Sequence, residues 1–427
     1  MKFAAVPVRC RVAGMLFVAV AINYLDRSNL SIAAVDLAGE LHLDDRRLGL
    51  IFSGFGWSYA LCQIPGGWLV DRIRPRTLYA AVCGLWSLAT LAQGWAGGFL
   101  ALLGLRLLLG VLEAPTFPIC NQLVTRWFPE HERAGAVGFY TAGQFVGLGL
   151  LTGALTFTQH WLGWRWVFFL TGGIGLMWAA IWRRYYRDPA ESLRLTAAER
   201  ETIRAGGGWV DGGADGQPGF SRRFCWRDLR LVLTQRPLWG LYLGQFALNA
   251  IPWFFLTWFP TYLVKARHFD FIRAGWMTSL PFLAAFAGVL CGGFCSDWLL
   301  RRGVSPTLAR KAPIIGGMLL STCVVGANFV RSPGWVVFFL ALAFFGNGFA
   351  SITWTLVSLM APKRLLGLTG GVFNFIGNGA SICVPIVVGF IAQSGGFAPA
   401  LAFVSAIALG GALSYLFVVG PVERVPG

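Results

Sequence analysis

Long apolar runs alternate with short polar breaks along the whole chain. A bilayer core takes about 20 residues of helix to cross, so each long run predicts a membrane-spanning helix. Twelve are expected, numbered here in chain order: 12–36, 47–70, 77–97, 99–125, 134–158, 164–184, 237–262, 274–299, 312–330, 334–360, 366–392 and 398–420. The pattern is that of an all-α polytopic membrane protein. A single long polar stretch, 187–235, divides the spans six and six. It predicts an N-terminal six-helix bundle over 1–186, a linker over 187–235 and a C-terminal six-helix bundle over 236–427.

Within the linker, Thr196-x-x-Glu199 has the form of a capping box opening a short helix. The glycines at 206–208 and the run "DGGADGQPG" at 211–219 predict flexible chain. "WRDLRLVL" at 226–233 has the amphipathic pattern of a segment lying along a membrane surface.

Composition agrees with this class: 56% of the 427 residues are hydrophobic and 13% are charged. A net charge of +16 would suit a nucleic-acid partner, but its distribution assigns it to topology. With a cytoplasmic N-terminus, 26 of the 35 Lys and Arg fall in cytoplasmic segments, seven in outer loops and two inside spans. That positive-inside bias places both termini and the linker in the cytoplasm of a bacterial inner membrane. The opening "MKFAAVPVRC" has no small-residue cleavage site, so a removable signal peptide is not expected. The nine cysteines lie mostly within spans and no His or carboxylate completes a metal set, so they are expected to pack helices.

The halves resemble each other. Gly67-x3-Asp71-Arg72 follows span 2 and Gly293-x3-Asp297-x3-Arg301 follows span 8, at an offset of 226 residues. Each glycine lets helices approach, and Asp71 or Asp297 is expected to cap a neighbouring helix N-terminus. Repeated halves around a central site are the build of alternating-access transporters.

Charge at bilayer depth costs at least ~2.5 kcal/mol, so the polar residues that centre in the spans are the functional candidates. They are Asp26 and Arg27 in span 1, Tyr59 in span 2, Glu113 in span 4 and Gln144 in span 5. The second half offers Asn249, Asn347, Ser351, Asn374 and Asn378. All the buried charge (Asp26, Arg27, Arg106, Glu113) falls in the first half. Arg27 suits bidentate contact with a carboxylate, while Asp26 and Glu113 are groups that can trade a proton. Asp26 paired statically with Arg106 is the structural alternative. Glu113 has no cation beside it in sequence, so desolvation is expected to favour its neutral form; a static acid hydrogen-bonded to carbonyls freed by the proline in "LEAPTFP" is the alternative. The aromatics Trp354 and Phe373 suit lipid or core contacts slightly better than platforms for a sugar. An enzyme is not expected: there is no G-x-S-x-G, no G-x4-G-K-[ST], and His42, His131, His160 and His268 all lie in or near loops.

The Gly-x3-Asp pattern repeated after spans 2 and 8 resembles that of the major facilitator superfamily. "NYLDRSNLSIA", "CQIPGGWLVDR", "EAPTFP", "WFPEHERA", "GFYTAGQFVGL", "FFLTWFP", "FFGNGFASITW" and "LTGGVFNFIGN", in that order, are similar to its anion:cation symporter branch. The resemblance implies that Asp26 and Glu113 couple protons and that Arg27 recognises a carboxylate, with Arg106 in their charge network. It implies that Tyr24, Tyr59, Gln144, Ser351, Thr353, Trp354 and Asn374 line the substrate site. Gly67, Asp71, Arg72, Asp297 and Arg301 would form the cytoplasmic gate. The implied function is proton-coupled import of a six-carbon sugar acid with one carboxylate, of the D-galactonate type. Glucarate, galactarate or hexuronate uptake and organic-anion exchange are the alternatives. The proton is the coupling ion, no cofactor or nucleic acid is expected, and the partners are the anion, protons and the lipid bilayer around a monomer.

Overall fold

A computed structural model of the chain describes residues 7–208, 210, 226–362 and 365–425. Among these residues there is no strand, and the helices join into twelve rods. Spans 1 to 6 are Val8–Glu40, Asp45–Leu61 with Gln63–Arg72, Pro75–Gln93, Phe99–Glu113 with Thr116–Trp127, Glu130–Leu162, and Trp164–Tyr185. Spans 7 and 8 are Arg236–Thr257 with its extension to Ala266, and Phe271–Arg301. Spans 9 to 12 are Pro306–Ser321 with Thr322–Phe329, Pro333–Phe349 with Thr353–Met360, Leu366–Asn378 with Ala380–Gly395, and Phe397–Leu413 with its extension to Val418.

Eight of these rods are long and apolar enough to cross a membrane by length and composition alone; spans 2, 3, 5 and 7 are the others. Most rods overrun the expected limits by a few residues, because polar end residues outside the hydrocarbon still continue the backbone ladder. Span 4 breaks at Pro115, which has no N–H to donate: the helix ends at Glu113 and restarts at Thr116.

Three large apolar clusters, with a small fourth around Leu25 and Leu155, hold the rods together. One lies inside the first half around Leu16, Trp86 and Leu123, and one inside the second half around Leu238, Met318 and Tyr415. The third joins the halves and includes Leu37 and Phe52 with Trp258, Phe282 and Val388. Contacts across that seam concentrate on the face remote from the chain termini. There Trp258 Nε1 donates to the Pro385 carbonyl at 3.0 Å, Thr152 and Ser279 share a hydrogen bond at 3.1 Å, and Lys265 pairs with Asp45 at 2.8 Å. Gly49 allows spans 2 and 11 to meet, since a Cβ there would stand 2.7 Å from the Pro385 oxygen. The seam is closed at the remote face.

The internal repeat extends to backbone detail. His42 after span 1 (φ 50°) and His268 after span 7 (φ 54°) are the non-glycine residues in the left-handed region among those described. They stand 226 residues apart, the offset of the Gly-x3-Asp motifs. The residue after each histidine donates back into the preceding helix, Leu43 N to Ala38 O five residues earlier and Phe269 N to Leu263 O six residues earlier.

Thr196 caps the linker helix Ala197–Ala205 as expected, accepting from Glu199 N at 3.2 Å. Glu199 then turns its carboxylate to the start of span 1, accepting from the N–H groups of Val8 and Arg9 at 3.2 and 3.1 Å. Arg9 in turn pairs with Glu132 of span 5 at 2.9 Å. The glycines at 206–208 are not flexible chain: Gly208 N bonds Ile203 O at 2.8 Å and Gly207 takes φ 80°. A left-handed residue is needed to stop the helix there, and glycine supplies it without strain. The run 211–219 lies outside the described residues. The helix Trp226–Thr234 rests on the second half through buried Val232, and Trp239 Nε1 donates to Leu233 O at 2.6 Å.

Candidate functional site

The buried charges of spans 1 and 4 meet. Arg27 Nε donates to Glu113 Oε2 at 2.9 Å, with the two side chains 6% and 0% exposed. The Arg27 guanidinium also lies 4.8 Å from the ring centres of Tyr24, Phe55 and Tyr59. Helix spacing builds this cage: Tyr24 and Arg27 are three apart on span 1, and Phe55 and Tyr59 four apart on span 2. Gly110 brings span 4 close enough to complete it, because a Cβ there would collide with the Phe55 carbonyl and the Ser58 hydroxyl. Stacking on π-faces and an ion pair together fix a planar cation that an ammonium would not replace.

Glu113, with no cation beside it in sequence, has one in space. Its cation comes from another helix, where sequence adjacency carries no information. The pair does not exhaust its atoms: Arg27 Nη2 and Glu113 Oε1 are buried without a hydrogen-bond partner. One guanidinium N–H face and one carboxylate oxygen remain to be used.

Asp26 and Arg106 do not pair among the described residues. Asp26 Oδ1 accepts from Asn29 Nδ2 at 3.4 Å, and Asn29 also reaches Thr171 of span 6 at 2.6 Å. Arg106 is 3% exposed, with Nε and Nη1 unmet and its guanidinium 6.0 Å from the Phe55 ring centre. It stands as a second buried cation beside the first.

The second half contributes neutral groups in a row. Thr353 Oγ1 donates to Gln245 Oε1 at 2.9 Å, and Gln245 Nε2 reaches Asn249 Oδ1 at 3.5 Å. Gly377 of span 11 leaves room for both, since a Cβ would lie 2.6 Å from Gln245 Cγ and 3.0 Å from Asn249 Nδ2. Asn374 accepts from Asn378 at 3.2 Å on the same span. The residue after Thr353 is aromatic: Trp354 is half exposed and meets Phe373 edge-on at 4.9 Å. Ser351 falls in the break of span 10 and Gln144 on span 5, each half-buried. Asn347 donates to the Leu248 carbonyl at 2.7 Å and so joins spans 10 and 7. Trp253, one turn beyond Asn249, lies 6.1 Å from Phe55, bringing the neutral row up to the Arg27 cage.

Sequence reasoning missed Phe55 and Gln245. Both carried a signal, since Phe55 shares a face with Tyr59, and Gln245 with Asn249, at a spacing of four. The residues expected to form a cytoplasmic gate are not among those brought together here. Asp297 does not cap a helix: Ser305 caps span 9 by accepting from Leu308 N, while Asp297 pairs with Arg310 at 3.1 Å. With the cap position filled by a nearer hydroxyl, the nearest cation takes the carboxylate. Arg301 is exposed in the last turn of span 8. Gly67, Asp71 and Arg72 belong to the helix Gln63–Arg72, and their side chains lie outside the described residues.

Comparison with known proteins gives a consistent result. The family profile described as Major Facilitator Superfamily matches residues 16–384. The chain is 53% identical to the D-galactonate transporter of Escherichia coli O6:H1 (strain CFT073), over 96% of this chain and 95% of that protein. It is 42% identical to the probable galactarate/D-glucarate transporter GudP of Bacillus subtilis (strain 168), over 98% of this chain and 93% of that one. A crystal structure of a D-xylose-proton symporter shares the fold with a TM-score of 0.73 at 14% identity, covering 96% of this chain and 98% of that chain.

Proposed function

The chain belongs to the major facilitator superfamily, and from that premise we propose that it imports a six-carbon sugar acid of the D-galactonate type together with protons, by alternating access. The observation that carries this reading is the caged Arg27, held by Glu113 yet keeping an unmet N–H. A substrate carboxylate and the Glu113 carboxylate compete for one guanidinium. Two ionised carboxylates around one buried cation would leave an uncompensated charge at a cost of several kcal/mol. Protonating Glu113 removes the competitor, so anion and proton enter the site together. The second-half row (Gln245, Asn249, Thr353, Asn374) offers neutral donors and acceptors to the hydroxyls.

Asp26, walled off at 1% exposure, is the second proton site. Arg106 keeps a specific second reading open: an unpartnered cation near Arg27 would suit a dicarboxylate such as galactarate or glucarate. The cytoplasm is assigned to the face of the termini on the 26-to-7 charge distribution, which makes the closed face the outer one and this conformation inward-open. The division into 1–186, 187–235 and 236–427, with the chain acting as a monomer in a bacterial inner membrane and needing no cofactor, completes the proposal.

Uptake of labelled D-galactonate into proteoliposomes under an imposed pH gradient tests it, with unlabelled galactonate, gluconate, glucarate and glucuronate as competitors. Accumulation blocked by galactonate is expected. Inhibition by glucarate alone would move the assignment to dicarboxylates.

A further inference from the structure

The interior of the first half holds polar groups that the substrate cavity does not use. Span 3 carries Trp86, Thr90 and Gln93 on one stripe, all fully buried. The Thr90 hydroxyl and both amide atoms of Gln93 have no hydrogen-bond partner, and Trp86 Nε1 turns to the carboxyl of Asp26 on span 1. One turn from Asp26, Asn29 of span 1 donates to Thr171 of span 6 at 2.6 Å, and its Oδ1 is unmet. Asp26 closes the inner end, with Trp86 and Thr171 against its carboxyl. Gln93 closes the other end as the last residue of span 3, beside the loop that carries exposed Trp95. Seven residues of helix separate Trp86 from Gln93, about 10 Å along the axis.

A buried polar atom left unmet costs about 1–3 kcal/mol. Here four such atoms, on spans 1 and 3, lie from Asp26 toward the remote face, which makes isolated packing faults a poor account of them. Bound waters satisfy groups of this kind, each taking two to four polar partners. We infer that these side chains hold a file of waters that carries protons between Asp26 and the remote face, through the first half and apart from the substrate cavity. The inference rests on the proton-coupled reading above and adds the route. The seam between the halves is closed at the remote face, so the cavity cannot deliver a proton from that side in this conformation. The file gives Asp26 that access while its own burial keeps it from the cavity. A hydronium at the mouth becomes water, the O–H bonds along the file shift by one place, and the Asp26 carboxylate gains the proton. The ionisable groups around Asp26 are Glu113 and Arg106 of span 4, Cys83 of span 3 and its neighbour Arg27, while span 6 presents Thr171.

The test combines Thr90→Val with Gln93→Leu in the full chain, reconstituted in proteoliposomes with D-galactonate. Uptake driven by a pH gradient is expected to slow about tenfold, equivalent to about 1.4 kcal/mol on the barrier. Counterflow of labelled for unlabelled galactonate, which needs no net proton movement, should stay near the parent rate. Thr90→Ser with Gln93→Asn, which keeps polar atoms in the file, should recover most of the driven uptake. A Val/Leu variant that accumulates substrate at the parent rate overturns the route. Counterflow falling in step with driven uptake overturns it too, since that marks a packing role. A parent protein with counterflow but no response to the pH gradient would instead defeat the symport reading itself.

Discussion

The two halves share a fold, a repeat offset and even the left-handed histidine that ends spans 1 and 7, yet they bury different chemistry. At mid-depth the first half holds Asp26, Arg27, Arg106 and Glu113, and the second holds Gln245, Asn249, Thr353 and Asn374. An ion pair in low dielectric is worth several kcal/mol to whichever partner completes it, whereas a neutral hydrogen bond nets about 1 kcal/mol. Charge therefore decides whether an anion is bound at all, and the neutral row decides among anions of similar charge. Keeping Arg27 and Glu113 in one half has a second consequence. Rocking of the halves leaves their 2.9 Å contact intact, so only protonation or substrate releases it. The hydroxyl contacts do cross between halves, and through them occupancy can bias the rocking.

The sharpest break of this comparison is Arg27→Lys. An ammonium keeps the charge but loses the planar fork and the fit against three rings, so galactonate affinity should fall about 100-fold, near 2.7 kcal/mol. Calorimetry on the purified protein measures it. Near-parental affinity would make Arg27 a helix-pairing charge and return recognition to Arg106.

Glu113→Gln separates binding from coupling within the same half. Glutamine matches the protonated acid in shape and cannot ionise, so Arg27 is left permanently available to the anion. Counterflow should persist while accumulation against a gradient is lost, and binding should lose most of its pH dependence. Uphill transport at the parental level would place the coupling proton on Asp26 alone.

The rods were legible because twenty apolar residues in a row have few other uses, and the charged candidates because burying them is costly without a purpose. What stayed hidden was pairing. Glu113 has no cation beside it in sequence and Asp297 was expected to cap a helix, yet Arg27 reaches the first from another helix and Arg310 takes the second. Cross-helix distances depend on close approaches such as that at Gly110, and these are set by packing rather than by local pattern. Gln245 was passed over for the opposite reason, sitting one turn from the centre of a span judged by its middle.

The smallest expected effect falls on the second half and tests the division most finely. Thr353→Val keeps the volume and β-branching of the side chain while removing the hydroxyl that donates to Gln245 Oε1 at 2.9 Å. Thr353 is fully buried, so the amide oxygen loses a neutral partner in a dry setting. The loss is about 1 kcal/mol, or roughly fivefold in affinity for galactonate. Because no charge changes, the pH dependence of uptake and the ratio of driven uptake to counterflow should match those of the parent. Gln245 also bonds Asn249 at 3.5 Å, so it can turn its amide toward span 7 and soften even this cost. Affinities for gluconate and galactonate, which differ only in hydroxyl configuration, should shift unequally. An equal shift for both, or any change in coupling, would mean that the neutral row tunes the charged cluster instead of reading the sugar.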